Sequence, residues 1–147
     1  MSRFNPLLNR RDSFSLLVAD AQPLGLWSSG LLATASGVLW FLPWLVPVLF
    51  VSAWLAPIPL LFALQRATAR HAFVLGWVAG TVCFAGASYW MIDFAINLRG
   101  ISWLTSLFLA SLFWLYAGLA LAFGCLLAHY LRRAMPAWHF ISFPLAI

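Results

Sequence analysis

Charged residues fall in short clusters along this chain, and the stretches between them are almost wholly apolar. Three windows carry no Asp, Glu, Lys or Arg at all: 21–65, 71–92 and 100–131. A helix needs about 20 apolar residues to cross the hydrocarbon core of a bilayer. Backbone polar groups find no water there, so only helices and closed barrels cross. The second and third windows each hold one crossing, and the first is long enough for two. The pattern predicts spans over 24–41, 48–64, 72–92 and 103–129. The apolar segment 138–147 is too short to cross and reads as the start of a fifth span. The expected fold class is all-α: a polytopic transmembrane helix bundle with four complete spans and an incomplete fifth.

Proline divides the first window. Pro43 and Pro47 bracket Trp44, and proline disfavours a helix through its own position and the one before it. Residues 41–47 are therefore expected to form a tight turn at the far interface, with Pro57 and Pro59 kinking the span that follows. Residues 1–23 read as a polar cytoplasmic lead carrying an apolar patch, Phe14 to Val18, at the membrane surface. Five charges lie in that lead and the first apolar run is far longer than a signal-peptide core. The first span is accordingly expected to remain as an uncleaved anchor. Residues 132–147 are expected to be a cytoplasmic loop leading into the incomplete span.

Arginine placement tests the split of the first window. With two crossings there, seven arginines lie on one side of the membrane and one on the other; with a single crossing the sides are equal. Basic residues concentrate on the cytoplasmic side, which selects four crossings with the N-terminus inside. Tryptophans agree: Trp40, Trp44, Trp90 and Trp103 gather at the outer boundary, and Trp27 and Trp138 lie near the inner one, as amphipathic rings do at both interfaces.

Composition sharpens the picture. Hydrophobic residues make up 65% of the 147 residues and charged ones 7%, with mean hydropathy +0.97, against about a quarter charged in soluble domains. All eight bases are arginine and all three acids aspartate, at 12, 20 and 93; there is no lysine and no glutamate. The net charge of +5 does not read as nucleic-acid binding, because the arginines flank spans instead of forming a stripe with interleaved aromatics. They sit where anionic headgroups are. Cys83 and Cys125 lie within apolar windows without a CxxC partner and read as small packing residues. His71, His129 and His139 are far apart and form no HxxH or Cys/His cluster, so no metal site is assigned. No GxSxG elbow, P-loop, dinucleotide fingerprint or carboxylate pair occurs, and no cofactor is expected. Asp93 is the one acid near the membrane. An acid in a span is a functional candidate, but at the outer end of its span Asp93 can reach water, pair with Arg99, or bind a polar headgroup.

Gly76 and Gly80 form a GxxxG pair that Cys83 and Ala87 continue on the same face, and Ala117, Ala120 and Gly124 offer a comparable strip on the fourth span. Small residues so spaced let helix backbones approach closely, so spans three and four are expected to pack together.

One stretch carries a family likeness. Ala56-Pro57 with Leu60-Leu61 closes the second span before a short basic loop. There follow His71-Ala72-Phe73-Val74-Leu75-Gly76-Trp77-Val78-Ala79-Gly80 and Phe84-Ala85-Gly86-Ala87-Ser88-Tyr89-Trp90. An outer loop with Gly100 and a long span with Tyr116, stopped by paired arginines, complete the pattern. Residues 57–133 in this order and spacing resemble the N-terminal membrane region of apolipoprotein N-acyltransferase; the first 55 residues match more loosely. The resemblance implies a bacterial inner-membrane enzyme that moves an acyl chain from a phospholipid to the N-terminal diacylglyceryl-cysteine of a lipoprotein. It also implies eight spans and an extracytoplasmic nitrilase-like domain with a Glu-Lys-Cys triad. This chain has neither Glu nor Lys, and both cysteines lie in spans, so no catalytic residue is assigned and the chain alone is expected to be inactive. Its expected partners are membrane phospholipid, diacylated lipoprotein, and the remaining spans and catalytic domain of a longer enzyme. Its expected role is scaffold and lipid access, with Tyr89, Trp90 and Asp93 lining the outer mouth of the lipid path. The rival reading is a small non-enzymatic membrane scaffold. A four-span exporter would need a membrane-embedded carboxylate, for which Asp93 is the sole candidate.

Overall fold

The computed structural model describes residues 25–65 and 67–134. Helix α1 spans Leu26–Leu45, and a single 3-10 turn follows at Pro47–Leu49. The short helices α2 (Val51–Leu55) and α3 (Pro57–Leu64) then form one broken rod. Helix α4 covers Ala69–Ala87, α5 Trp90–Arg99 and α6 Trp103–Ala134. Among the described residues there is no strand. Three elements are long and apolar enough to cross a membrane: Leu26–Leu45, Pro47–Leu64 and Trp103–Ala134. The pair α4 and α5, bent by 50° between its arms, makes a fourth when taken as one span. The N-terminal lead, Trp138, His139 and the expected start of a fifth span lie outside the described residues.

Helix ends differ from expectation in ways that have local causes. The turn expected at 41–47 does not begin at Phe41: α1 runs through Pro43 to Leu45. Proline has no N–H to place, and the acceptor it leaves without a donor, the Leu39 carbonyl, takes a hydrogen bond from Ser52 Oγ at 2.9 Å. Chain reversal falls instead at Val46, which is extended, with Pro47 opening the next helical turn. The second rod breaks at Ala56, ahead of Pro57, where the kink was expected. Ser36 Oγ donates to the Ala56 carbonyl at 2.6 Å and ties that break to α1.

The third predicted span is not straight. Helix α4 starts behind Thr68, whose side chain accepts from the His71 amide, an N-cap bond that satisfies one of the free donors of the first turn. It stops at Ala87, five residues before the predicted end. Ser88 leaves helical geometry, with φ −116° and ψ 23°, and its Oγ donates back to the Phe84 carbonyl. Serine side chains that compete for that acceptor bend helices. Helix α5 ends at Gly100, φ 60°, with Gly100 N–H donating to Ile96 O and Ile101 N–H to Ala95 O. The bond from Gly100 to Ile96 is that of the αL C-cap, which needs a left-handed residue and so favours glycine. Helix α6 is 32 residues long and runs past the predicted end at His129 to carry Arg132 and Arg133 in its last turn.

The core lies where α4 is sandwiched between α1 and α6. Ala33, Leu60, Leu64, Ala72, Leu75, Ala79, Cys125 and Ala128 are all buried there. Spans three and four pack as the glycines implied. A Cβ on Gly76 would meet Cys125 Sγ and Leu121 O at 2.8 Å, and one on Gly80 would meet Gly118 O at 2.8 Å. The strip on α6 differs in part from the expected one. Gly124 is buried as expected, together with Gly118, Ala122 and Cys125, but Ala117 is half-buried and Ala120 faces outward. A shift of one residue turns a helix face by about 100°. A Cβ on Gly118 would meet Thr81 Oγ1 at 2.5 Å, and Gly37 on α1 is covered by Ala79 and Val82.

Candidate functional site

The bend between α4 and α5 places the three residues singled out from sequence. Tyr89 is the residue before α5, Trp90 its first, and Asp93 lies in its first turn. Spacings of three and four along a helix make side chains neighbours on its surface, so Asp93 adjoins both Trp90 and Tyr89. All three are exposed. The Trp90 ring meets Phe94 edge to face, centroids 6.0 Å apart. The Asp93 carboxylate at the start of α5 and Arg99 in its last turn each stand where the helix dipole favours that sign. Six positions separate them, a rise of about 9 Å with a turn of about 240°. That spacing keeps them apart, and the pairing considered from sequence has no helical geometry behind it.

The residues that hold this corner were not singled out in advance. Trp114 Nε1 on α6 donates to Ser88 Oγ at 2.9 Å, while Ser88 Oγ donates to Phe84 O. The hydroxyl is thus both acceptor and donor, and it links the bend to α6. Phe84 packs edge-on against Phe113 of α6, centroids 6.5 Å apart, and the Phe41 ring fills the space over Gly86. Nothing in the local sequence distinguishes Ser88 from other serines in spans, and its partner lies 26 positions away.

At the other end of the bundle, Arg132 Nη2 donates to the Leu64 carbonyl at 3.2 Å, capping the C-terminus of α3. His129 is buried and His71 exposed.

Residues 36–147 match the family described as apolipoprotein N-acyltransferase N-terminal domain. The chain belongs to this family. The matched region begins some twenty residues ahead of the resemblance read at Pro57 and takes in the second half of α1. Among curated proteins, the apolipoprotein N-acyltransferase of Geobacter metallireducens is 34% identical over 117 residues. Those residues are 78% of this chain and 22% of that relative, so the chain spans about a fifth of its length. No solved structure matches. The matched residues of this chain include the α4–α5 corner, the glycine contacts between α4 and α6, and the serine bonds between α1 and the broken rod.

Proposed function

We propose that these helices are the N-terminal membrane portion of an enzyme that transfers an acyl chain from a phospholipid to the N-terminal amine of a lipoprotein's diacylglyceryl-cysteine. The observation that carries this is the family match over residues 36–147, on helices long and apolar enough for a bilayer. Acyl transfer through a covalent intermediate needs an activated nucleophile and donors aimed at the oxyanion. The chain holds no Glu and no Lys, and its two cysteines, Cys83 and Cys125, lie within apolar helices, so in this reading the reactive groups come from polypeptide beyond these residues. The helices supply scaffold and lateral lipid access in the inner membrane, with the N-terminus cytoplasmic. Tyr89, Trp90 and Asp93 line the outer mouth of that access.

The test grafts this chain in place of the matching part of the Geobacter metallireducens relative, in a strain that depends on the transferase. The chimera is expected to acylate lipoprotein and the chain alone to do nothing; a chimera that inserts stably but transfers no acyl chain overturns the reading. Trp90→Ala and Asp93→Asn in the active chimera are expected to slow transfer, and unaltered rates remove the mouth assignment. A cysteine at Ala67 should react only from the cytoplasmic side; labelling from outside overturns the orientation.

A further inference from the structure

Helix α5 divides into three sectors that neither a span nor a water-borne loop requires. At 3.6 residues per turn, Ile92 and Ile96 share the side toward the bundle, where Ile92 is only 2% exposed. Trp90, Phe94 and Leu98 recur every fourth residue on the side away from it, at 60%, 53% and 65% exposure. Met91 and Ala95 widen this apolar sector. Asp93 and Asn97, both exposed, occupy the third sector, between the apolar stripe and the bundle.

Helix α4 has 19 residues and rises about 28 Å, close to the roughly 30 Å hydrocarbon core. With α4 taken as the crossing, the 50° bend turns α5 off that axis at its outer end. Ten residues, about 15 Å, are too few to cross again. Continuing outward would leave Trp90, Phe94 and Leu98 in water; continuing through the core would bury Asp93 and Asn97 in hydrocarbon, at a cost of several kcal/mol. A helix lying in the interface satisfies all three sectors at once.

We infer that α5 is an interfacial helix of the outer leaflet, its Trp90–Phe94–Leu98 stripe inserted among lipid acyl chains and its Asp93–Asn97 edge in water. Its occupant is the lipid surface itself. Helix α5 carries one acid and one base, Asp93 and Arg99, so insertion is driven by apolar burial and not by anionic headgroups. The inference needs no assumption about the reaction.

The experiment places nitroxides on the full chain in phosphatidylcholine vesicles, at Phe94→Cys, Asn97→Cys and Leu98→Cys in a Cys83→Ala background. These positions are exposed, so the labels disturb little packing, and circular dichroism verifies folding. Relaxation by oxygen relative to a water-soluble nickel chelate should be several-fold higher at 94 and 98 than at 97, with 94 and 98 about 5–10 Å below the headgroup boundary. Adding phosphatidylglycerol should leave the pattern unchanged. Equal nickel access at all three positions, a steady rise in depth from 94 to 98 without alternation, or insertion only with phosphatidylglycerol would each overturn the inference.

Discussion

Ser52 Oγ donates a 2.9 Å hydrogen bond to the carbonyl of Leu39, the acceptor that Pro43 cannot serve four residues on. A proline in α1 and a serine in the returning rod are thus complementary parts of one joint. Ser52→Ala should cost about 0.6–1.7 kcal/mol, the range for polar bonds between membrane helices. Pro43→Ala restores an N–H at the right distance, so Ser52→Ala should cost nearly nothing in that background. Detergent-titrated unfolding of the four members of this cycle measures the coupling; independent, additive costs would show that the serine does not stand in for the missing donor.

Gly80 and Gly30 should respond oppositely to added side chains. A Cβ at Gly80 would lie 2.8 Å from the Gly118 carbonyl and 2.9 Å from its Cα, both backbone atoms that cannot swing away. Gly80→Val is expected to lose about 1–3 kcal/mol or more and to part α4 from α6. A Cβ at Gly30 meets nothing within 4 Å, so Gly30→Ala should be neutral or stabilise by up to about 1 kcal/mol through helix propensity. Folded yield and unfolding midpoint in the same detergent report both.

The contrast between these glycines explains what was legible beforehand. The GxxxG pair at Gly76 and Gly80 announced a close helix contact because only small residues permit one, and the contact is there. Its partner strip was legible only in part: Gly124 is buried as expected, but Ala117 and Ala120 are as small as the buried Gly118 and Ala122; composition does not rank them, and only the crossing of two helices does. The bend at Ser88 was hidden for a related reason. Hydropathy is continuous across 71–92, whereas the break depends on a hydroxyl held by Trp114 from another helix. Tyr89, Trp90 and Asp93 are candidates by predicted depth alone, and depth carries no information on the 50° turn at which they stand.

Trp114 should govern how firmly that turn is held. Trp114→Phe keeps a ring of similar shape but removes the donor to Ser88 Oγ. It is expected to cost about 0.5–1.5 kcal/mol and to broaden the distance distribution between spin labels at Leu98 and Leu109. Ser88→Ala should broaden it at least as much, since it also removes the bond to the Phe84 carbonyl, and the double variant no further than Ser88→Ala, since the indole acts through that hydroxyl. A distribution unchanged in Trp114→Phe would mean that the bend is held by backbone preference at Ser88 alone.

Arg132 and Arg133 are adjacent bases that positive-inside counting treats as equivalent, and the structure separates them. Arg132 is half-buried, and its guanidinium donates to the Leu64 carbonyl, one of the last carbonyls of α3, whose partial negative charge a cation at the C-terminus stabilises. Arg133 is exposed. A charged hydrogen bond is worth about 1.5–3 kcal/mol, so Arg132→Gln should fall toward that loss, with faster amide exchange across 63–67. Arg132→Lys should recover only part of it, because a single ammonium lacks the planar fork. Arg133→Gln should stay within about 0.5 kcal/mol of the parent, as surface substitutions do. Both glutamine variants remove one inner-side charge, so a topology effect alone would make them equal. A difference confined to Arg132, seen in exchange at the end of α3, assigns it to the cap.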